Sequence, residues 1–326
     1  MTKLTLIKAI NQALDEEMAR DERIVVMGED VGVDGGVFRA TEGLVEKYGD
    51  KRVMDTPISE AGIVGMAMGM AINGMRPVVE VQFSGFIYPA FQEIVSHVSR
   101  IRNRSRGRFT APMVIRSPYG GGINALEHHS ESMEALYAHI PGLKVVIPSS
   151  PANAKELLIA AIRDPDPVLF LEPKKIYRAF KDEVPDGEHV GEIGKARVVQ
   201  EGDAVTVISW GAMLQHTQEA VKDFARKGVS CEVIDLLTIM PWDVETVIKS
   251  VKKTGRVVIV QEATRTGGFA SEIIATINDE ALMYLEAPIK RVTGYDIIMP
   301  YLKNEMLQLP SVKRISAAIQ EVVDFE

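Results

Sequence analysis

Glu60 is a carboxylate placed where its charge would have chemical consequences. It precedes residues 61–75, which carry no charge and are typical of a buried helix. With Ser59 as the N-cap, Glu60 lies in the first helical turn, where the helix dipole stabilises an anion. A carboxylate beside such an apolar surface has a perturbed pKa or a bound partner. Two interpretations stay open on this basis: Glu60 only caps the helix, or it handles a proton at a binding site.

The loop over 117–132, SPYGGGINALEHHSES, is a second candidate for chemistry. Glycines 120–122 give its backbone unusual freedom, and His128 and His129 stand before Ser130, the predicted cap of a helix over 131–139. A histidine at such a junction can exchange a proton near neutral pH. Adjacent histidines point in different directions and no third ligand is evident, which argues against a metal site. A structural role for either histidine is the alternative.

Further carboxylates follow predicted strands or flank them. Glu29 and Asp30 come directly after the strand over 24–27, and α/β folds bind ligands at the carboxyl ends of such strands. Asp164 and Asp166, in the stretch DPDP, could hold a cation together with nearby carbonyl groups. A plain capped turn explains the same spacing.

The elements that must position these residues alternate along the chain between strand and helix patterns. This order predicts an α/β protein with two doubly wound, mostly parallel-sheet domains. We place the domains at residues 1–185 and 203–326, with a linker over 186–202 that is rich in charge and glycine. Helices are predicted over 39–48 and 90–102. Neither half shows G-x-G-x-x-G after its first strand, which argues against dinucleotide binding.

The predicted helix after Glu60 has an unusual face. Gly62, Gly65 and Gly69 recur at spacings of three and four residues, so this face carries no side chains. Another backbone could approach it closely. We therefore expect a partner helix there, from this chain or from another one.

Composition excludes several classes of protein. The chain has 326 residues and a net charge of −8, which argues against nucleic-acid binding. The alternating arginines of RIRNRSRGR, residues 100–108, are accordingly interpreted as a solvated or partner-facing surface. A single cysteine, Cys231, excludes an internal disulfide. No stretch is typical of an export signal or a membrane span, so we expect a cytoplasmic protein.

Several long motifs carry a resemblance to a known family. They are GEDVGVDGGVFRATEGLVEKYGDKRVMDTPISEAGIVG (28–65), RSPYGGGINALEHHSES (116–132), PGLKVVIP (141–148) and the stretch over 228–273. In order and density they resemble the β chain of the thiamine-diphosphate-dependent decarboxylase component of 2-oxo acid dehydrogenase complexes. GGVFR, MPWDVET, GGFASEI and LEAPIKRVTGYD look more like the branched-chain type. The pyruvate type is the alternative.

The resemblance implies a role for the residues around Glu60. The first domain would be the pyrimidine-binding domain of a transketolase-like fold, and the last would be transketolase C-terminal-like. Glu60 matches the glutamate that hydrogen-bonds the ring nitrogen of the cofactor's aminopyrimidine and so activates the cofactor by proton transfer. Glu29 matches a glutamate that tunes or orients the site. Phe86, Ile58 and Tyr88 would pack around the pyrimidine.

The resemblance also implies roles for His129 and for the DPDP region. His129 matches the active-site histidine that steadies the substrate carboxylate or intermediate and assists transfer to the lipoyl group. His128 is given no role. Potassium is a possible second ligand, bound mostly by carbonyl oxygens at the positions of Met113, Ala161, Asp164 and Asp166.

On this resemblance the chain works only with partners. Magnesium and the cofactor's diphosphate would be held mainly by an α subunit, in a heterotetramer of two α and two β chains. The second domain would dock the peripheral subunit-binding domain of the acyltransferase core, whose lipoyl domain visits the active site. A transketolase-like transferase and a non-catalytic docking subunit are the alternative functions.

Overall fold

Largely parallel sheets organise the chain in the computed structural model, which describes residues 1–300 and 302–325. The strands, in chain order, are β1 (Thr2–Leu4), β2 (Ile24–Gly28), β3 (Val53–Asp55), β4 (Arg76–Glu80), β5 (Val114–Tyr119), β6 (Lys144–Val146), β7 (Val168–Pro173), β8 (Asp182–Val184), β9 (Arg197–Gln200), β10 (Val205–Ser209), β11 (Cys231–Asp235), β12 (Thr238–Met240), β13 (Val257–Thr264) and β14 (Lys290–Gly294).

Helices follow most of these strands, as crossover connections between parallel strands require. The α-helices are α1 (Leu6–Arg20), α2 (Leu44–Tyr48), α3 (Glu60–Ile72), α4 (Phe91–Glu93), α5 (Ile101–Arg104), α6 (Glu134–Ala138), α7 (Pro151–Arg163), α8 (Met213–Arg226), α9 (Val244–Thr254), α10 (Ala270–Ala281), α11 (Glu305–Gln308) and α12 (Val312–Val323). Short 3-10 segments cover Ser84–Ala90, Lys174–Ile176, Leu282–Tyr284 and Leu302–Asn304, and Ile94–Val98 forms a π-helical turn.

The first sheet has the strand order β12-β6-β7-β5-β4-β2-β3. All its pairs are parallel except β12 with β6, so the carboxyl ends of β2, β3, β4 and β5 share one edge. The second sheet has the order β14-β13-β10-β11-β9 and is parallel except for β9. These are the two mostly parallel α/β sheets that the sequence predicts.

The two halves of the chain are not independent of one another. Strand β12 comes from the second half but pairs with β6 of the first sheet. Both hydrophobic core clusters draw buried residues from both halves. The predicted linker over 186–202 contains β9, which is an edge strand of the second sheet. A buried boundary of this kind lets the second half position residues of the first.

Helix α3 has one buried and one open face. Its buried residues are Ile63, Val64, Ala67 and Ala71. Gly62, Met66 and Gly69 are exposed, and a Cβ added at Gly69 would meet nothing within 4 Å. The expectation of a buried helix is therefore met on one side only. The glycine face lies open in the single chain.

Several predicted helices are shorter or more irregular than expected. The predicted helix over 39–48 begins only at Leu44, after Gly43 in the left-handed conformation with φ +82°. The one over 90–102 is broken into α4, a π-turn and α5, with the Ser99 hydroxyl bonded to the Val95 carbonyl at 3.1 Å. Such hydroxyl bonds to the preceding turn bend helices. Within residues 1–300 and 302–325, no helix is both long and apolar enough to cross a bilayer.

Candidate active site at the carboxyl ends of the first sheet

Glu29 and Glu60 lie at neighbouring strand ends of the first sheet. Glu29 directly follows β2, and Glu60 begins α3 after β3, the parallel neighbour of β2. Asp55, at the end of β3, accepts hydrogen bonds from the backbone N–H groups of Gly32 (2.6 Å) and Val33 (3.2 Å). The loops after the two strands are thereby fixed to each other.

The carboxyl group of Glu29 is perturbed by its surroundings. Glu29 is 8% exposed, and its burial, followed by the negative charges of Glu60 and Asp30, raises its pKa above the ordinary value. The negative charge of Glu60 therefore lies close enough to act on the Glu29 carboxyl.

Ser59 is the N-cap residue of α3, as predicted, but its side chain makes no capping hydrogen bond. The position of Glu60 in the first turn is as predicted too. Its placement beside Glu29 gives Glu60 a possible role in addition to stabilising the helix end.

Aromatic rings bring His129 to the same edge of the sheet. The His129 ring lies 4.3 Å from the ring of Phe83 and 5.1 Å from that of Phe86, measured between centroids. Its Nδ1 donates to the carbonyl oxygen of Glu127 at 2.8 Å. Because the proton of the neutral ring then sits on Nδ1, Nε2 is left as the proton acceptor.

Ile58 and Tyr88 lie at the rim of this group. Ile58 is 83% exposed, two residues before Glu60, and Tyr88 is 42% exposed. The Tyr88 ring lies 6.3 Å from that of His128, whose φ is +64°. The structure therefore places Glu29, Glu60, Phe86 and His129 at one sheet edge, with Ile58 and Tyr88 towards solvent.

Exposed apolar side chains surround the site on the loops that build it. They are Val33, Ile58, Ile123 and Leu126, which are 85%, 83%, 38% and 68% exposed. These four side chains lie on the loops after β2, β3 and β5, so apolar groups are exposed on several sides of the site. A cavity of about 730 Å³ elsewhere has Asp166 in its wall but neither Glu60 nor His129. In the single chain the site is thus an open surface.

Phe83 was not among the predicted site residues although it packs closely against His129. It is 8% exposed and also contacts Phe38, with ring centroids 5.5 Å apart. A usable signal was present, because Phe83 comes shortly after the carboxyl end of β4. Aromatic residues at such a position are candidates for a ligand-binding wall.

Ser130 does not cap a helix, contrary to the prediction. Helix α6 begins at Glu134 with Met133 at its N-cap, and the Ser130 hydroxyl donates to the carboxylate of Glu305 at 2.9 Å. The acceptor is supplied by the other half of the chain. Nothing in the local sequence indicates this contact.

The four predicted potassium-binding positions lie around the loop between α7 and β7 and at the start of β5. The Asp164 carboxylate pairs with Lys144 (2.5 Å) and the Asp166 carboxylate with Arg102 (2.6 Å). The carbonyl of Met113 accepts from Val168 N–H (3.0 Å), and that of Ala161 accepts from Asp164 N–H (3.3 Å).

These contacts change the basis for the potassium hypothesis. The two carboxylates are engaged in ion pairs, which compete with a cation for their oxygens, whereas each carbonyl oxygen keeps a second lone pair. In the described part of the chain, no group of three or more His, Cys, Asp and Glu side chains is arranged to hold a metal. Potassium at these positions stays a prediction.

Comparison with known proteins first defines the class. The family model for the transketolase pyrimidine-binding domain matches residues 2–179, and that for the transketolase C-terminal domain matches residues 194–315. A solved structure titled as a split-gene transketolase, an inactive β4 tetramer, superposes with a TM-score of 0.81. It is 22% identical and covers 99% of each chain, so it supports the fold. The chain has the transketolase-like two-domain α/β fold.

More similar sequences then narrow the family. The pyruvate dehydrogenase E1 component subunit beta of Acholeplasma laidlawii is 54% identical over 322 residues, 99% of this chain and 98% of the relative. That of Bacillus subtilis is 48% identical over 325 residues, covering 100% of both chains. The chain belongs to the family of β subunits of 2-oxo acid dehydrogenase E1 components.

The comparisons correct one part of the sequence interpretation. The family named from the sequence is confirmed at the level of the 2-oxo acid dehydrogenase β subunit. The branched-chain subtype is not supported, since these relatives carry the pyruvate name. The pyruvate alternative agrees better with full-length similarity.

Proposed function

We propose that this chain is the β subunit of a pyruvate dehydrogenase E1 component. With an α subunit it would decarboxylate pyruvate on thiamine diphosphate and transfer the acyl group to a lipoyl group of the acyltransferase core. The observation that carries the proposal is the grouping of Glu60, Glu29 and His129 at one sheet edge. Full-length similarity to pyruvate dehydrogenase β subunits supports the choice of substrate.

The residues fit a heteroaromatic cofactor with a basic ring nitrogen. Glu60 supplies a carboxyl at the helix start, while Phe86 supplies an aromatic wall, with Ile58 and Tyr88 at the rim. When bound, thiamine diphosphate supplies the carbon nucleophile and the electron sink that decarboxylation of a 2-oxo acid requires.

The chain's own residues divide the proton handling between them. Glu60 would hydrogen-bond the pyrimidine nitrogen, beside Glu29, whose pKa is raised by burial and by the charge of Glu60. His129, with Nδ1 held by the Glu127 carbonyl, would present Nε2 to the substrate carboxylate or to the arriving lipoyl group. These roles require that the Glu60, Glu29 and His129 side chains keep their orientation at the carboxyl edge of the first sheet.

A partner subunit is needed because the site is open. Val33, Ile58 and Leu126 are all more than half exposed around it, and the glycine face of α3 lies bare nearby. An α subunit that covers these surfaces would exclude water and bring the residues that hold magnesium and diphosphate. The two-α, two-β assembly rests on the resemblance alone.

The test is co-expression with the α chain, followed by a panel of substrates. We expect kcat/KM for pyruvate to exceed that for branched-chain 2-oxo acids and 2-oxoglutarate by roughly tenfold or more, since a pocket for a small side chain excludes larger ones. Higher kcat/KM for branched-chain acids would refute the pyruvate assignment. Turnover of ketose phosphates without 2-oxo acids would support a transketolase-like transferase instead.

A further inference from the structure

The loop that carries His129 is held by buried carboxylates from the other half of the chain. Glu262 lies in β13 and is 4% exposed, and Glu305 begins α11 and is 1% exposed. Both face the segment over 120–132. We call these two glutamates the carboxylate clamp.

Glu305 ties together the two ends of the His129 segment. Its Oε1 accepts from the backbone N–H of Gly122 at 2.7 Å and from the hydroxyl of Ser130 at 2.9 Å. Its Oε2 accepts from the backbone N–H of Asn124. Because Ser130 is the next residue after His129, the carboxylate fixes the backbone beside the histidine.

Glu262 also joins the two ends of the His129 loop, at Gly121 and Ser132. It accepts from the backbone N–H of Gly121 and, at 3.2 Å, from the hydroxyl of Ser132. The clamp therefore receives backbone and hydroxyl donors from both ends of the loop. A solvated loop would satisfy these donors with water instead.

The glycines of the loop are required by this approach. A Cβ on Gly120 would lie 2.6 Å from Glu262 Oε1, and one on Gly121 would lie 2.9 Å from Glu305 Oε1. A Cβ on Gly122 would lie 2.6 Å from Cδ of Lys175. The sequence predicts freedom of the backbone here, but the structure shows bare backbone against carboxylates and a lysine stem.

A buried cation compensates the charge of the clamp. Lys174 is 3% exposed, and its Nζ makes no hydrogen bond to the described residues. Its charge interacts with Glu262, Glu305 and Glu131. Burial raises the pKa of Glu262, and the hydrogen bond from Gly121 and the charges of Lys174 and Lys175 oppose that rise.

We propose that Glu262 and Glu305 are positioning residues, which act through the loop over 120–132 to hold His129 against Phe83 and Phe86. The second half of the chain thereby controls the reaction step that His129 assists. This inference rests on the function proposed above for His129. In this proposal neither Glu262 nor Glu305 contacts substrate or cofactor.

The first test measures the loop itself, by hydrogen exchange of the full chain assembled with its α subunit. Glu305→Gln keeps the shape of the side chain but replaces an acceptor oxygen with an NH₂ donor. We expect exchange in the peptide over 117–132 to be about tenfold faster or more, since hydrogen bonds to charged groups are strong. Glu232→Gln is the matched control, because Glu232 is buried in the second half and pairs with Lys253 instead.

The second test asks whether the clamp acts through His129. Glu305→Gln should lower reductive acylation about tenfold in the wild-type background and cause no further loss in a His129→Ala background. Decarboxylation with an artificial electron acceptor should change less than twofold. A general loss of folding would instead lower both activities and give additive effects.

The outcomes separate the clamp from the proposed function. Unchanged exchange in the 117–132 peptide of Glu305→Gln would overturn the clamp, whatever the enzyme does. Faster exchange with unchanged acylation in Glu305→Gln would overturn the control of His129 by the clamp, whereas full acylation in His129→Ala alone would overturn the proposed role of His129. If Glu305→Gln fails to assemble, Ser130→Ala removes one donor to the same carboxylate, and the same two results decide.

Discussion

Glu60 and Glu29 lie at adjoining ends of parallel strands, and this placement supports the proposal that they handle a proton. Neither residue alone distinguishes a helix cap from a catalytic group. Together they form a site in which burial, and after it the charge of Glu60, raises the pKa of Glu29. Replacement of Glu60 and of His129 tests this site directly, and replacement of the buried Lys174 tests the charge beside the His129 loop.

Glu60→Gln should abolish most of the decarboxylase activity of the assembled enzyme. The amide cannot exchange the proton that the carboxyl handles, so we expect kcat to fall about 10²- to 10⁴-fold. The measurement is pyruvate decarboxylation with an artificial electron acceptor. Glu46→Gln is the matched control, since Glu46 is an exposed glutamate in the first turn of α2. Normal turnover by Glu60→Gln would refute the catalytic assignment.

His129→Ala should affect a later step than Glu60→Gln does. We expect cofactor binding to stay within twofold of wild type and reductive acylation of lipoyl domain to fall roughly 10²-fold, because the proton-exchanging imidazole is lost. His128→Asn is the control, and asparagine suits the positive φ of that position. Full acylation by His129→Ala would remove its proposed role.

Lys174 should make the free energy of unfolding of the chain change with pH in the alkaline range. Burial lowers its pKa from 10.5 to about 8. Between these values the unfolded chain binds more protons than the folded one, so stability rises with pH. Relative to Lys174→Met, the wild type should gain about 3 kcal/mol across this window. The gain is measured by urea unfolding of both proteins at about pH 8 and at about pH 10.5. If the free energies of unfolding of wild type and Lys174→Met change with pH in parallel, the prediction is wrong.

At the scale of elements, the open face of α3 is the clearest sign of a missing partner. A helix that is apolar on all sides is stable in water only when all sides are covered. Its glycines allow another backbone to come close, and Met66 beside them is 49% exposed. We therefore infer that this face packs against another subunit.

Gly69→Leu tests that inference. A Cβ at this exposed position meets nothing within 4 Å in the single chain, and leucine improves helix propensity by about 0.8 kcal/mol, so the fold should be kept. Assembly with the α subunit should be lost or strongly weakened, as measured by light scattering after gel filtration. Lys222→Leu adds the same side chain to the exposed face of α8 as a control. Wild-type assembly of Gly69→Leu would exclude this face from the interface.

Local patterns predicted many of the elements but not the contacts between distant ones. The buried strand β2 and the start of α3 follow from apolar runs and an N-cap position, which are local signals. The role of Ser130 could not follow from sequence, because its acceptor, Glu305, is 175 residues away. The sequence likewise predicts only backbone freedom at glycines 120–122, because the side chains that approach them, Glu262, Glu305 and Lys175, are distant in sequence. Long-range carboxylate contacts leave no periodic pattern to detect.

At the scale of the whole molecule, the two halves have linked tasks. The first half carries Glu29, Glu60 and His129 at one sheet edge, and the second half contributes β12 to that sheet and the clamp to the His129 loop. The apolar rim around the site lies open in the single chain. Under the proposed function, this open rim is the surface that the α subunit would cover.

The most direct test of this account measures pyruvate decarboxylation by this chain alone, by the α chain alone and by the two mixed, each with thiamine diphosphate and magnesium. We expect rates near background for either chain and full activity for the mixture, because the open site needs its partner. Activity of this chain alone equal to that of the mixture, or an assembled mixture inactive towards every 2-oxo acid, would contradict the account.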